Sequence, residues 1–213
     1  MYWGDLLWLG IGLVAQLFFA ARFLSQWLFS ERAGRSLMPV HFWYLSVAGS
    51  ILLLAYAIHR RDPVIATGQL IGVAIYLRNL RYLESGWLGR HSVSIWIGLV
   101  TAASLVGYHL GLDPASKPIL IGDFWTAFGF VGQTLFTGRF VVQWWMTERA
   151  RKSVVPRHFW NLSIAGTMLL LVYASVMVDP VIMLGQVLGL TVYTRNLILF
   201  NRSEASVATT HAP

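Results

Sequence analysis

The sequence predicts an all-α integral membrane protein: seven transmembrane helices, arranged as two parallel three-helix repeats joined by a linker helix. Three observations predict it. The 213 residues are 56% hydrophobic and 12% charged, about half the charge of an ordinary soluble domain. The apolar residues fall in runs long enough for a ~30 Å hydrocarbon core, separated by basic connectors. And the chain is written twice: residues 8–80 align on 125–197 without a gap, and 37 of the 73 paired positions are identical.

The seven spans are read over 6–29, 40–58, 64–83, 93–111, 123–146, 157–177 and 181–200. Pro39 and Pro156 open the second and sixth spans, and Pro63 and Pro180 open the third and seventh. Proline suits a first helical turn, where its missing N–H has no partner to lose. The fourth span lies outside the duplication and carries few polar residues. Two three-span units joined directly would face opposite ways, so one extra span restores a common orientation. The expected organisation is repeat 1 over 1–85, the linker helix over 86–117, repeat 2 over 118–201 and a disordered polar tail over 202–213.

The net charge of +7 would suggest nucleic acid on a soluble protein. Here the basic residues sit between apolar runs and read as topology determinants, so no nucleic-acid partner is expected. Arg32, Arg35, Arg81, Arg90, Arg149, Arg151, Lys152, Arg157 and Arg202 fall on one side. Arg60, Arg61 and Lys117 fall on the other, among Asp5, Asp62, Asp113, Asp123 and Asp179. The first side is expected to be cytoplasmic, which puts the N-terminus outside and the C-terminus inside. The N-terminal MYWGD is not basic, so a cleaved signal peptide is not expected. The chain has no Cys, which excludes disulfides and thiolate metal sites.

Polar residues inside the spans are the candidate site. Arg22 interrupts the apolar run AQLFFAARFLSQWLF, and Arg139 repeats it. Two readings stand: snorkelling to the cytoplasmic surface, or an arginine-lined anion site, for which the planar guanidinium fork suits phosphate. Gln16, Phe19, Phe23 and Gln26 share one helical stripe, as do Gln69, Gly72, Tyr76 and Asn79. Gln133, Gln143, Gln186, Tyr193 and Asn196 repeat the polar members. These side chains must find partners in lipid, either across helices or along a hydrated path. Gly68-x-x-x-Gly72 and Gly185-x-x-x-Gly189 read as close helix packing. His41 and His158 lack a second ligand at i+3 or i+4 and read as interfacial hydrogen-bonding groups, with no metal site. Gly10-x-Gly12-x-x-Ala15 precedes no strand–helix unit and is no dinucleotide fingerprint. There is no Asp-x-Asp, G-x-S-x-G, H-E-x-x-H or phosphate loop, so neither catalysis nor a cofactor is expected. The interiors of the spans carry no Asp or Glu, which argues against a proton relay.

The pairs Arg22-Phe23, Phe42-Trp43 and Arg78-Asn79-Leu80 recur as Arg139-Phe140, Phe159-Trp160 and Arg195-Asn196-Leu197. With Ser36, Pro39, Asp62-Pro63-Val64 and Gln69 they resemble the lipid-A-disaccharide synthase N-terminal domain (LAB-N) family, over roughly 8–82 and 125–199. The family in turn looks distantly like PQ-loop and SWEET transporters, in which three-helix bundles pair around a central path. The resemblance implies a bacterial inner-membrane protein that handles an anionic lipid-linked sugar, such as a polyprenyl-phosphate sugar, in lipid A or envelope glycan synthesis. Arg22 and Arg139 would hold the phosphate, the Gln, Tyr and Asn side chains would meet hydroxyls, and Trp43 and Trp160 would stack on sugar or lipid. The family's name comes from chains in which this domain precedes a soluble glycosyltransferase. No segment here supplies that fold. The alternative is a non-catalytic membrane subunit or anchor for such a glycosyltransferase.

Overall fold

The computed structural model describes residues 3–33, 39–83, 87, 90–91, 94–99, 124–150 and 156–210. Six long helices dominate them: α1 (Trp3–Ala33), α2 (Val40–His59), α3 (Pro63–Tyr82), α4 (Phe124–Ala150), α5 (Arg157–Val176) and α6 (Pro180–Thr210). They fall at the expected positions in both repeats. Most of the predicted fourth span, 93–111, lies outside the described residues, of which 94–99 are helical. The last helix continues to Thr210, through most of the tail expected to be disordered. No Gly or Pro stands between Gly189 and Pro213 to end it.

Among the described residues four helices are long and apolar enough to cross a membrane: α1 over Leu6–Phe29, α2 over Val40–His59, α5 over Arg157–Val176 and α6 over Pro180–Ile198. The other two are their repeat counterparts with more polar residues. α3 carries Gln69, Arg78, Asn79 and Arg81, and α4 carries Gln133, Arg139, Gln143 and several threonines.

The chain divides into two compact units, Met1–Thr126 and Ala127–Pro213. In the first, α2 packs against α1 and α3. The Trp96 indole, in the helical segment over 94–99, donates to the Leu70 carbonyl of α3 at 3.0 Å. In the second unit α5 packs against α6. Large apolar residues lie on the outside as well as in the core. Leu17, Leu24, Val141 and Val187 face outward. The buried polar residues include Gln16, Arg22, Ser46 and Ser50 in the first unit, and the equivalent Gln133, Arg139, Ser163 and Thr167 in the second. Apolar outside and hydrogen-bonding inside is what helices in hydrocarbon require.

The repeated Asp-Pro-Val sequence has a local cause. At the end of α2, Arg61 N–H donates to Ile58 O and Asp62 N–H to Ala57 O, at 3.0 and 2.9 Å. Val178 and Asp179 repeat the pattern at the end of α5, at 3.2 and 2.9 Å. This is a Schellman closure, and it needs a left-handed residue. Arg61 (φ 55°) and Val178 (φ 52°) take that role. The following Asp caps the next helix: Asp62 Oδ1 accepts from Ile65 N–H at 3.0 Å, and Asp179 Oδ1 from Val181 and Ile182 N–H, both at 3.1 Å. Pro63 and Pro180 then fill the first helical position.

The units differ in how closely their first two helices approach. A Cβ added at Gly166 of α5 would lie 2.7 Å from the Phe136 backbone nitrogen of α4. At the equivalent Gly49 of α2 the nearest atoms are side-chain atoms of Phe18 and Phe19, at 3.1–3.2 Å. One turn before Phe136, where α1 has Ala15, α4 has Gly132, and a Cβ added there would lie 2.9 Å from Leu169 Cβ and 3.2 Å from the Leu170 backbone nitrogen of α5.

Gly166→Ala should therefore lower the unfolding temperature of the purified protein in detergent, by an overpacking cost of about 1–3 kcal/mol. Gly49→Ala should cost less than Gly166→Ala, since its nearest atoms are side chains rather than backbone and alanine favours the helix by about 1 kcal/mol. Val178 is 77% exposed, so Val178→Gly loses little packing and removes a left-handed β-branched residue costing roughly 1–2 kcal/mol. Its unfolding temperature should rise; a fall would mean that the turn is held by contacts of the valine side chain.

Candidate functional site

The site is built around Arg22 on α1. The residue is 6% exposed. Its Nη1 donates to Ser46 Oγ of α2 and to the Tyr76 hydroxyl of α3, both at 3.2 Å. Ser46 is free to accept because its own hydroxyl donates back to the Phe42 carbonyl at 2.6 Å. The guanidinium carbon lies 4.5 Å from the Phe19 ring centre, 4.8 Å from Phe23 and 5.5 Å from Phe42. The second unit repeats this. Arg139 is 2% exposed, its Nη1 donates to Ser163 Oγ at 3.1 Å, and Ser163 donates to the Phe159 carbonyl at 2.6 Å. The rings of Phe136, Phe140 and Tyr193 lie 3.7, 4.7 and 4.9 Å from its guanidinium carbon.

Among the described residues no carboxylate pairs with either arginine. The guanidinium is held by neutral hydroxyls and ring faces alone. A hydrogen bond from a charged group contributes about 1.5–3 kcal/mol, and a desolvated cation–π contact about 2. Together these offset the several kcal/mol lost in desolvating the ion, but leave its charge uncompensated. In both units Nε has no hydrogen-bond partner. Each arginine is thus turned into its bundle with its Nε–H unspent, a geometry suited to an anion.

The other predicted site residues separate into three groups. Trp43 and Trp160 are buried and stand 6.1 and 6.5 Å, centre to centre, from Tyr76 and Tyr193. They extend the aromatic wall and offer no open face for a sugar. Asn79 and Asn196 donate to carbonyls of their own helices, Ile75 and Val192, at 2.8 Å. Gln16 and Gln133 are buried, and Gln133 donates to Thr137 at 3.0 Å on the same helix. Gln26, Gln143, Gln69 and Gln186 are half-buried. Sequence reasoning missed Ser46 and Ser163, the direct partners of the arginines. Their identity in the two copies of Leu-Ser-x-Ala-Gly was the available signal.

The glycines at 72 and 189 lie against the tyrosines of their own helices. A Cβ at Gly72 would first meet the Tyr76 ring and hydroxyl of its own helix, at 3.4–3.6 Å, and at Gly189 the Tyr193 ring at 3.1 Å. They are small so that the tyrosine can fold back over them toward the arginine. Gly189→Ala should displace Tyr193 while the helix persists. The expected readout is a changed near-ultraviolet tyrosine signal with unchanged far-ultraviolet helicity; loss of helicity would point to helix packing instead.

The model of the lipid A biosynthesis N-terminal domain matches the chain twice, over residues 11–81 and 128–198. The lipid-A-disaccharide synthase of Chlamydia abortus is 31% identical over 210 residues, 92% of this chain and 34% of the relative. That of Chlamydia pneumoniae is 28% identical over 210 residues, with the same coverage of 92% and 34%. That of Chlamydia trachomatis serovar D is 30% identical over 181 residues, 78% of this chain and 30% of the relative. The chain thus spans about a third of the length of the curated relatives it matches. No solved structure matches it. Each of the two matched segments contains one buried arginine with its serine and tyrosine positions, and the chain belongs to the lipid A biosynthesis N-terminal domain family.

Proposed function

We propose that this is a bacterial inner-membrane protein that binds an anionic lipid-linked sugar and moves it between leaflets during lipid A or envelope glycan assembly. The observation that carries the proposal is the pair of buried, carboxylate-free guanidiniums. A charge inside a helical bundle is retained at a cost of several kcal/mol, and a phosphoryl group supplies the missing counter-charge in bidentate form. The relatives, named for a step of lipid A synthesis, support the pathway. In this reading seven spans form the 3+1+3 arrangement, with the N-terminus outside and the basic loops and C-terminus in the cytoplasm. Rocking of the two repeats gives alternating access. The chain itself performs no catalysis.

A second reading is favoured by one observation: the chain corresponds to only about a third of its curated relatives. It would then be a non-catalytic membrane subunit that anchors or feeds a glycosyltransferase.

Proteoliposomes loaded with a fluorescent polyprenyl-phosphate sugar separate the two. Wild-type protein should speed its transfer between leaflets. Arg22→Leu and Arg139→Leu should slow it at least tenfold, in line with losing charged hydrogen bonds of about 1.5–3 kcal/mol. The Lys variants should fall between, because a point charge lacks the planar fork. A wild-type protein that moves no lipid, but co-purifies stably with a glycosyltransferase, would establish the subunit reading in its place.

A further inference from the structure

Ser50 and Thr167 are the second anomaly of the interior. They occupy equivalent positions of the two repeats and are 1% and 0% exposed. Neither hydroxyl has a hydrogen-bond partner. A helical serine or threonine ordinarily returns its hydroxyl to the carbonyl four residues back. Ser46, Ser163, Ser175 and Thr191 all do so. Among the described residues, the two buried hydroxyls without a partner share one repeat position, which changes from Ser to Thr between copies while keeping its hydroxyl. An alanine or valine there would remove the unsatisfied group at no packing cost.

The placement gives the hydroxyl a role. Ser50 follows Ser46 by one helical turn, and Thr167 follows Ser163 by the same interval. Residues so spaced lie on one face, roughly 5–6 Å apart. Ser46 and Ser163 are the groups that hold the arginines. Each unit therefore carries a buried guanidinium with a spare Nε–H and, one turn along the helix from the serine that holds it, a buried hydroxyl with a spare O–H. Neither set borrows a residue from the other unit.

We infer that each three-helix unit holds its own phosphoryl group, bound by the arginine Nε–H and by the hydroxyl of Ser50 or Thr167, so that one chain binds two. This rests on the anion-site reading above and replaces one phosphate shared by two arginines with two complete sites. The ring walls around each guanidinium favour a phosphate carried on an apolar chain over the free ion.

The test is a count. The full-length protein in detergent is titrated with farnesyl phosphate and, in parallel, with inorganic phosphate, and bound ligand is read by native mass spectrometry and calorimetry. Two farnesyl phosphates are expected per wild-type chain, one in Arg22→Leu or Arg139→Leu, and none in the double variant. Ser50→Ala and Thr167→Val should each weaken one site about tenfold. Without ligand they should unfold at the same or a higher temperature than wild type, because they delete an unsatisfied hydroxyl. One ligand per wild-type chain, lost in either Leu variant, would overturn the two-site inference and leave the anion-site reading standing. Two ligands with Ser50→Ala and Thr167→Val binding as wild type would overturn the hydroxyl assignment. Equal binding of inorganic phosphate would overturn the preference for a lipid headgroup. No binding of either probe would end the anion-site reading and this inference with it.

Discussion

The organising constraint is a guanidinium taken out of water without a carboxylate to accompany it. Everything near Arg22 is arranged to tolerate that. Ser46 gives its proton to the Phe42 carbonyl and turns its lone pairs to the arginine. Tyr76 reaches in across a glycine. Ring faces complete the enclosure. None of these groups is charged, so the network holds the cation in place while leaving its electrostatic demand open. A carboxylate at any of these positions would close the site. Neutral donors, acceptors and π-faces keep it receptive.

That the same network stands twice ties the duplication to chemistry as well as to packing. The two copies differ at about half of their positions, and the differences concentrate outside it. The outward faces exchange one apolar residue for another, as at Leu24/Val141 and Leu70/Val187. The approach of the first two helices differs too, with Phe rings against Gly49 in one unit and backbone against Gly166 in the other. Yet the Arg–Ser hydrogen bond has nearly the same length in both, 3.2 and 3.1 Å. The buried polar geometry tolerates changes in the helix contacts around it because it hangs on one turn of α2 or α5.

The family relation fits this picture without supplying an activity. The matched segments are the repeats themselves, and the relatives are roughly three times as long. What the chain shares with them is therefore the matched region that holds the two repeats, not the remaining two thirds of those proteins.

Much was legible in the sequence. The gap-free repeat fixed which elements are equivalent, and Pro39, Asp62-Pro63, Pro156 and Asp179-Pro180 fixed where helices begin, because capping and proline placement are local effects. Arg22 and Arg139 announced themselves by their cost in an apolar run. The partners of those arginines were not legible. Ser46 lies 24 positions from Arg22, and Tyr76 lies 54, so their meeting depends on how three helices are rotated about their axes. In a soluble protein the polar outer face reveals that rotation. Here the outer faces are as apolar as the core, so periodicity carries little of it. The same blindness hid Ser50 and Thr167, ordinary helix hydroxyls on paper, and the tyrosines that lie against Gly72 and Gly189. Local chemistry set the helix ends and the residues that had to be turned inward. Only the packing of the helices decided which of those residues touch.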